Sequence, residues 1–334
     1  MKSSLTRKDS NAHKLFTVCT YLSCPYKHYL GYVQRLTLKK PVRPLYFGSD
    51  FHKLLELRGD KEALRQAKED IRDKFYEMPG SWQTELGDSY VEDLFTIFRD
   101  YVRVYRGAPL PQKTEEPFEI LLGYCKGEPV YFVGVIDELY LQKINGKKRI
   151  LIGEHKTFNQ RPDMNTLTMN TQKCLYAKAT QTLRGILPEG VIWDYIKSAP
   201  AKEPIWLEKS HRFSESKSAD ITPYSWARAC KSKGITDKSV IKRGSELYNG
   251  NVGNFFFRVK QDFYPQMVED IWEGFVYTCK DMAKRGSTNK TKNVTRDCKW
   301  CSFRDICFSE MSGGDTAYII EKNYKEKEEH RVNG

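Results

Sequence analysis

The stretch that decides the fold runs from Val130 to Phe158 and reads VYFVGVIDELYLQKINGKKRILIGEHKTF. Two apolar runs flank the dipeptide Asn145-Gly146, and this arrangement is the strongest short-range signal for a β-hairpin. The sequence therefore predicts antiparallel strands over 130–143 and 148–158, joined by a tight two-residue turn.

The turn sets the register of this hairpin. Because residues 145 and 146 are the two turn positions, the residue numbers of each cross-strand pair sum to 291. Asp137 falls opposite Glu154, and Lys156 lies two residues further along the same face. The apolar pairs that share this face are Leu139 with Ile152 and Leu141 with Ile150. We therefore expect the two carboxylates and the ammonium group at the end of an apolar ladder, where they are partly desolvated.

Two opposed carboxylates repel each other unless a proton, a cation or a metal ion neutralises them. Carboxylate oxygens completed by water suit Mg²⁺ or Mn²⁺ better than zinc. A protonated Lys156 has no lone pair for a metal, but it can position a water or stabilise negative charge on a phosphate. The alternative is a surface hairpin with a cross-strand Glu-Lys pair, and a one-residue slip would move one acid to the other face.

Further candidates lie on either side of the hairpin. Gln172 and Tyr176 are four residues apart and share one side of a predicted helix, where an ordinary half-buried face is the alternative interpretation. Upstream, Ser49 is a candidate cap of a helix that carries His52 in its first turn. Glu116 lies on a strand that is predicted to precede the hairpin, and it is a candidate supporting acid.

The motifs Gly134-Val-Ile-Asp137 and Glu154-His-Lys156 resemble the core of the PD-(D/E)XK nuclease superfamily, and Gln172-Lys-Cys-Leu-Tyr176 resembles the Gln-x-x-x-Tyr motif of RecB-like nucleases. The resemblance implies an α/β fold of restriction-endonuclease type, in which helices flank a small mixed β-sheet. It implies a Mg²⁺ or Mn²⁺ site with the ligands His52, Asp137 and Glu154. It also implies that Lys156 is the catalytic lysine, supported by Gln172 and Tyr176.

The cysteines provide a second signal. Cys298, Cys301 and Cys307 place three thiols in ten residues, and Cys24 precedes a proline near the N-terminus. Four thiolates bind zinc or a four-iron, four-sulfur cluster, and the spacing alone leaves both open, as it leaves open reduced buried thiols. This arrangement resembles the iron-sulfur staple of RecB-like and CRISPR-adaptation nucleases, which implies a 4Fe-4S cluster. Cys19 could compete with Cys24 for the ligand role.

Composition limits the class of protein. The 334 residues carry a formal net charge of +12 and a pI of about 9.1, which favours a polyanionic partner such as DNA. Basic and aromatic residues also alternate near both ends, as a channel for single-stranded DNA would require. The odd count of nine cysteines argues against a disulfide framework and favours a reducing cytoplasm. No apolar run has membrane length.

Along the chain, the sequence predicts an N-terminal segment, a nuclease core, a polar arm from which no core can be assembled, a C-terminal helix with the cysteine triplet, and a charged tail. Their ranges are 1–47, 48–213, 214–253, 254–317 and 318–334. The expected elements are helices over 61–76, 90–105 and 255–285, and strands over 190–198 and 205–213.

Together these features predict a metal-dependent DNA nuclease, an exonuclease acting on DNA ends or single strands, in a bacterial or phage-infected cytoplasm. The expected protein partners belong to recombination, replication or CRISPR adaptation. The alternative is a catalytically inactive DNA-binding scaffold that is stapled by an iron-sulfur cluster or by zinc.

Overall fold

The computed structural model describes residues 12–13, 15–144, 147–168, 170–218, 220–285 and 288–327. Its strands are numbered in chain order: β1 Ala12–His13, β2 Leu36–Leu38, β3 Lys113–Cys125, β4 Glu128–Ile144, β5 Lys147–Phe158, β6 Gly190–Lys197, β7 Trp206–Leu207, β8 Arg212–Phe213, β9 Phe256–Asp262 and β10 Tyr324–Glu326.

The helices alternate with these strands, so the chain has a mixed α/β architecture. In chain order they are α1 Leu15–Ser23, α2 Pro25–His28, α3 Arg43–Glu56, α4 Lys61–Tyr76, α5 Gly80–Leu86, α6 Tyr90–Val104, α7 Thr171–Arg184, α8 Pro223–Ser232, α9 Lys238–Tyr248, α10 Pro265–Arg285, α11 Arg304–Met311 and α12 Ala317–Asn323. In the described ranges, none of them is long and apolar enough to cross a membrane.

The central sheet is mixed, with the order β3-β4-β5-β6-β9, and β1 pairs with the first half of β4. Only the β1–β4 and β5–β6 pairs are parallel. The predicted hairpin register is confirmed, since Leu139 pairs with Ile152 and Leu141 pairs with Ile150. The predicted turn at residues 145–146 lies outside the described residues. The mixed sheet flanked by helices is the fold class that the sequence predicted.

Alternating side chains of the strands point to two different cores, as the two-residue period of a strand requires. On one face, Leu139 and Ile152 pack with Leu175 of α7 and Phe275 of α10. On the other face, Ile196 of β6 packs against α3, α4 and α6, for example against Phe51. The β4–β5 hairpin is therefore buried between two helical layers, which hold its end in place.

Several expected elements differ in the structure. The segment 205–213 does not join the central sheet, because Trp206 pairs only with Phe213 across a short turn. The fifth strand comes instead from β9, where a helix was expected, and α10 begins at Pro265, after that strand. Helix α3 begins at Arg43, so Ser49 lies inside the helix and is not its cap.

The polar arm has a small core of its own, contrary to the expectation that none could be assembled. Aromatic and small side chains supply it: Phe213, Ile221, Trp226, Ala229, Cys230 and Tyr248 are all buried together. Much of this core comes from the large side chains of Trp226 and Tyr248. Low average hydropathy therefore concealed a packed unit.

Segments from the N-terminal and C-terminal parts of the described chain meet beside the cysteines. Strand β10 lies in the predicted charged tail and pairs antiparallel with β2. The amide of Tyr26 also donates a hydrogen bond to the carbonyl of Thr291, at 3.0 Å. These contacts place Cys24 next to the C-terminal cysteine triplet.

Candidate metal and active site

The candidate site lies where the ladder between β4 and β5 ends. The last paired residues are Glu138 and Gly153, one step before Asp137 and Glu154. Beyond that point, the amide of His155 donates a hydrogen bond to Asp137 Oδ2 at 3.0 Å. The Asp137 carboxylate therefore replaces a main-chain acceptor and is fixed against the strand that carries Glu154.

Glu154 is buried and is held by two polar partners. Lys156 Nζ and Gln172 Nε2 each lie 2.6 Å from Glu154 Oε1, and Lys156 Nζ also donates to Gln172 Oε1 at 3.0 Å. The other oxygen, Glu154 Oε2, is buried and has no hydrogen-bond partner among the described residues. Burial and the nearby Asp137 charge raise the pKa of Glu154, against the opposing effects of Lys156 and His52.

Helix α7 positions Gln172. The helix is capped by Asn170, whose side-chain oxygen accepts a hydrogen bond from the Lys173 amide at 3.1 Å. Gln172 therefore lies in the first turn and points at the hairpin. One turn later, Tyr176 packs edge-on against Phe118, and it lines the cavity in front of the carboxylates. The predicted Gln and Tyr pair thus faces the hairpin as expected.

His52, Glu115 and Asp137 form a second group at the site. One ligand atom from each lies within 4.8 Å of the others, so the three could hold a metal ion. His52 Nδ1 lies 3.7 Å from Asp137 Oδ2 and 4.0 Å from Glu115 Oε1. Burial lowers the pKa of His52, but the two carboxylates outweigh burial and the pKa is raised overall.

The acid that reaches the site is Glu115, and the expectation for Glu116 is wrong. Glu116 binds Arg184 instead. The Lys126-Gly127 turn sets a register in which Glu116 would face Asp137, but a bulge between Leu121 and Gly123 shifts the pairing by one residue. Glu115 then comes level with Asp137, in a left-handed conformation with φ of 47° that is uncommon for a non-glycine residue.

The opposite face of the same hairpin carries a separate network of buried charges. The His155 ring lies between two acids, with Nε2 2.9 Å from Glu138 Oε1 and Nδ1 3.3 Å from Asp194 Oδ2. Arg58 contacts Glu138 at 2.7 Å, and Arg258 contacts Asp194 at 3.0 Å. This network joins β4, β5, β6 and β9 to the segment after α3, directly behind the site.

The charges of this second network are mutually compensated. Burial opposes the charge on His155, but contacts with Asp194 and Glu138 raise its pKa to about 10. Burial likewise opposes ionisation of Glu138, while His155 and Arg58 lower its pKa to about 2. Both groups are therefore charged at neutral pH, in contrast to the strained position of Glu154.

A cavity of about 730 Å³ opens in front of Lys156 and the group formed by His52, Glu115 and Asp137. Gly134 of the hairpin motif lies in the wall of this cavity. A Cβ atom at residue 134 would lie 2.5 Å from the Phe118 ring, so only glycine allows this close packing. The cavity is wide enough to admit a substrate to the carboxylates.

The family model described as the PD-(D/E)XK nuclease superfamily matches residues 17–308. The chain belongs to this superfamily. Among solved structures, the chain is similar to a "putative exonuclease" from Eubacterium rectale, with 9% identity, a TM-score of 0.47 and coverage of 91% of this chain and 94% of the other. It also resembles a protein named SSO0001, with 12% identity, a TM-score of 0.33 and coverage of 90% and 88%. No curated protein matches it.

The region that matches the superfamily includes all four predicted cluster cysteines, and the nuclease brings them together. Cys24, Cys298, Cys301 and Cys307 line one cavity of about 380 Å³. Burial raises the pKa of Cys307, and the other three thiols raise it further, which reflects their proximity. Cys19 is exposed and does not line this cavity.

Proposed function

We propose that this protein is a Mg²⁺- or Mn²⁺-dependent deoxyribonuclease of the RecB-like type, an exonuclease that cleaves DNA ends or single strands. The observation that carries this proposal is the group of His52, Glu115 and Asp137, which could hold a metal ion, with the buried Glu154 beside it. A folded protein tolerates such closely placed acids where a cation neutralises them.

The donor groups at the site fit a hard divalent ion. His52, Glu115 and Asp137 offer one nitrogen and two carboxylate oxygens within 4.8 Å of one another, and Glu154 adds a further oxygen. A mainly oxygen set of this kind suits Mg²⁺ or Mn²⁺. The main-chain carbonyl of His155 is a further candidate ligand. When bound, the ion would lower the pKa of an attacking water and shield the charge of the scissile phosphate.

Lys156 supplies the remaining positive charge. Its ammonium group is held by Glu154 and Gln172 while a third of the side chain stays exposed to the cavity, with a side-chain exposure of 32%. It can therefore orient the attacking water and stabilise the additional negative charge that develops on phosphate during attack. Gln172 and Tyr176 hold the lysine and the strand in place and do not themselves transfer protons in this proposal.

The decisive assay compares cleavage of end-labelled single-stranded and double-stranded DNA by the full chain in Mn²⁺, in Mg²⁺ and in EDTA. We expect metal-dependent release of labelled products, and loss of that release in Asp137→Asn. Glu116→Gln is the matched control, because this acid binds Arg184 away from the site. Absence of cleavage by wild-type protein that binds DNA would instead support the inactive scaffold.

We further propose that Cys24, Cys298, Cys301 and Cys307 hold a 4Fe-4S cluster. A tetrahedral zinc site would bring the sulfur atoms to about 3.8 Å from one another, given Zn–S bonds of about 2.3 Å. Within the described ranges, no three of these sulfur atoms lie within 4.8 Å of one another. The wider spacing around a cavity of about 380 Å³ supports the larger iron-sulfur group, which would tie the two chain ends together.

Anaerobic purification with metal analysis tests the cluster. We expect iron and sulfide in the wild-type protein, with brown absorbance that Cys301→Ser loses together with stability. Cys19→Ser is the matched control, because this exposed thiol lies in the same part of the chain and outside the cavity. Colourless wild-type protein with stoichiometric zinc would reject the cluster.

A further inference from the structure

Helices α8 and α9 of the polar arm are joined by a short turn that resembles a helix-turn-helix. Lys233 caps the end of α8 and Asp237 caps the start of α9, so only residues 234–236 lie outside both helices. Gly234 has a φ of 69°, the left-handed conformation that favours glycine at a helix end. A helix-turn-helix has this construction, with two helices and a turn of three to four residues that often contains glycine.

Hydrogen bonds make this turn rigid. The Ile235 amide donates to the Cys230 carbonyl at 2.9 Å, the bond that characterises a Schellman motif. The Asp237 side chain accepts from the Ser239 amide at 2.7 Å and so caps α9. The direction of α9 relative to α8 is therefore fixed, as recognition by one helix requires.

The two helices are also in close contact. Trp226 of α8 donates its indole N–H to the carbonyl of Val240 on α9, at 2.8 Å. A Cβ atom at residue 244 would lie 2.3 Å from the Trp226 ring, so Gly244 allows the helices to approach this closely. These contacts use the inner side of α9, and its outer side is exposed, with Arg243 bound to Glu215 at 2.8 Å.

The outer side of α9 and the turn before it are strongly basic. Residues 231–245 contain five basic side chains and one acid, Asp237, which is engaged as the cap. All five are exposed: Lys231, Lys233, Lys238, Lys242 and Arg243. Lys238 and Lys242 lie one turn apart, opposite the buried Gly244 and Tyr248. On α9 itself, Glu246 is the single acid, and it lies 3.8 Å from Lys242.

The unit is attached to the nuclease core at two points. Arg228 of α8 binds Asp100 of α6 at 2.5 Å. Arg161, which follows the catalytic strand β5 by three residues, donates to the carbonyl of Gly253 just after α9 at 3.4 Å. One of the two points of attachment of the arm therefore lies near the carboxyl end of the strand that carries Glu154 and Lys156.

We propose that residues 222–248 bind double-stranded DNA, with α9 in the major groove and the basic turn on the phosphate backbone. This inference deepens the proposed function. It rests on that function for the claim that the bound duplex is the substrate. A helix of this kind enters the groove with its first turns, and here the exposed Lys238 and Lys242 of these turns would contact the phosphates that flank the groove. The nuclease would thus hold the duplex that flanks the end it degrades.

Binding is measured in EDTA, so that no cleavage occurs, by titrating salt with a labelled duplex of about 20 base pairs, roughly two helical turns. Each phosphate contact contributes about −0.9 to the slope of log K against log salt. The Lys238→Gln/Lys242→Gln variant should therefore lower the size of this slope for duplex by about 1 to 2. Binding of the corresponding single strand should not change, because α9 requires a groove.

The matched control is Lys280→Gln/Lys284→Gln on α10, which removes two exposed lysines with the same spacing. It should leave the slope for duplex unchanged. Equal slopes for the two variant proteins, or an equal loss of single-strand binding in the α9 variant, would overturn the proposal. If the wild-type protein does not cleave DNA but still binds duplex through α9, the result would overturn the proposed nuclease activity and leave the binding proposal intact.

Discussion

The two faces of the β4–β5 hairpin carry similar residues in opposite electrostatic states. On the rear face, Glu138 and Asp194 are matched by Arg58, Arg258 and His155, and the pKa of Glu138 falls to about 2. On the front face, Glu154 pairs with Lys156, and His52 lies beside Asp137 and Glu115, yet the pKa of Glu154 rises. The two faces therefore differ in how many positively charged side chains the protein places beside the carboxylates.

Under the proposed function, this difference separates the acids that hold the fold together from those that would bind the metal ion. Buried carboxylates paired with arginine form a closed network that holds strands together, and losing one member leaves unpaired charges behind. Carboxylates without enough protein cations keep binding capacity for an external one. Burial alone would not have separated the two, because Glu138 and Glu154 are both almost fully buried.

The largest effect should come from breaking the rear network. Glu138→Gln leaves Arg58 and His155 buried without their shared acid, so we expect the free energy of unfolding to fall by about 3 kcal/mol. Urea denaturation measures it. A change below about 0.5 kcal/mol, the usual range for surface substitutions, would contradict a compensated network.

On the front face, Lys156→Ala should remove chemistry without removing the fold. We expect cleavage to fall by about a hundredfold or more, the effect of losing one positioned electrostatic group. Single-turnover cleavage of labelled DNA measures it, with a thermal melt as a folding check. Lys260→Ala on β9 is the control, because this exposed lysine lies outside the site. Equal rates for the two variant proteins would remove Lys156 from the mechanism.

Substitutions of the neighbouring acids Glu115 and Glu116 distinguish a proposed metal ligand from an acid in an ordinary ion pair. Glu115→Gln should weaken Mn²⁺ binding by about tenfold, because one of the carboxylates around the ion loses its charge. Glu116→Gln should leave Mn²⁺ affinity unchanged, since this side chain binds Arg184. The reverse order of affinities would place the wrong acid at the site.

The smallest effect is expected for Glu154→Gln, which should raise stability, whereas Glu138→Gln should lower it. In EDTA, Glu154→Gln removes a carboxylate whose ionised form is disfavoured by burial and by Asp137. We expect a melting temperature that is higher by a few degrees at most. A clear drop at neutral pH would show that Glu154 is as well compensated as Glu138.

The local pattern predicted the hairpin well. An Asn-Gly turn fixes the number of residues between partners, so the register of Leu139 with Ile152 could be counted in advance. The helices over residues 61–76 and 90–104 were also predictable, because each has a long amphipathic repeat. The juxtaposition of Asp137, Glu154 and Lys156 followed from the register alone.

The rest depended on contacts that a local pattern does not contain. Glu115 replaced Glu116 because of a bulge at residue 122, which no turn signal marks. The residues of β9 carry alternating charges, and the sequence predicted that they belong to a helix. In the folded chain they form a strand because they pair with β6. The ion network around His155 joins residues from 58 to 258, so only the folded chain reveals it.

Calorimetric titration of the metal-free full chain with Mn²⁺, with wild-type protein beside Asp137→Asn and Glu116→Gln, tests most directly whether the front face is a metal site. We predict saturable binding to wild-type protein and Glu116→Gln, and a loss of affinity of at least about tenfold in Asp137→Asn. Indistinguishable titrations of all three proteins, or no saturable binding to the wild type, would contradict the assignment of these carboxylates to a divalent ion.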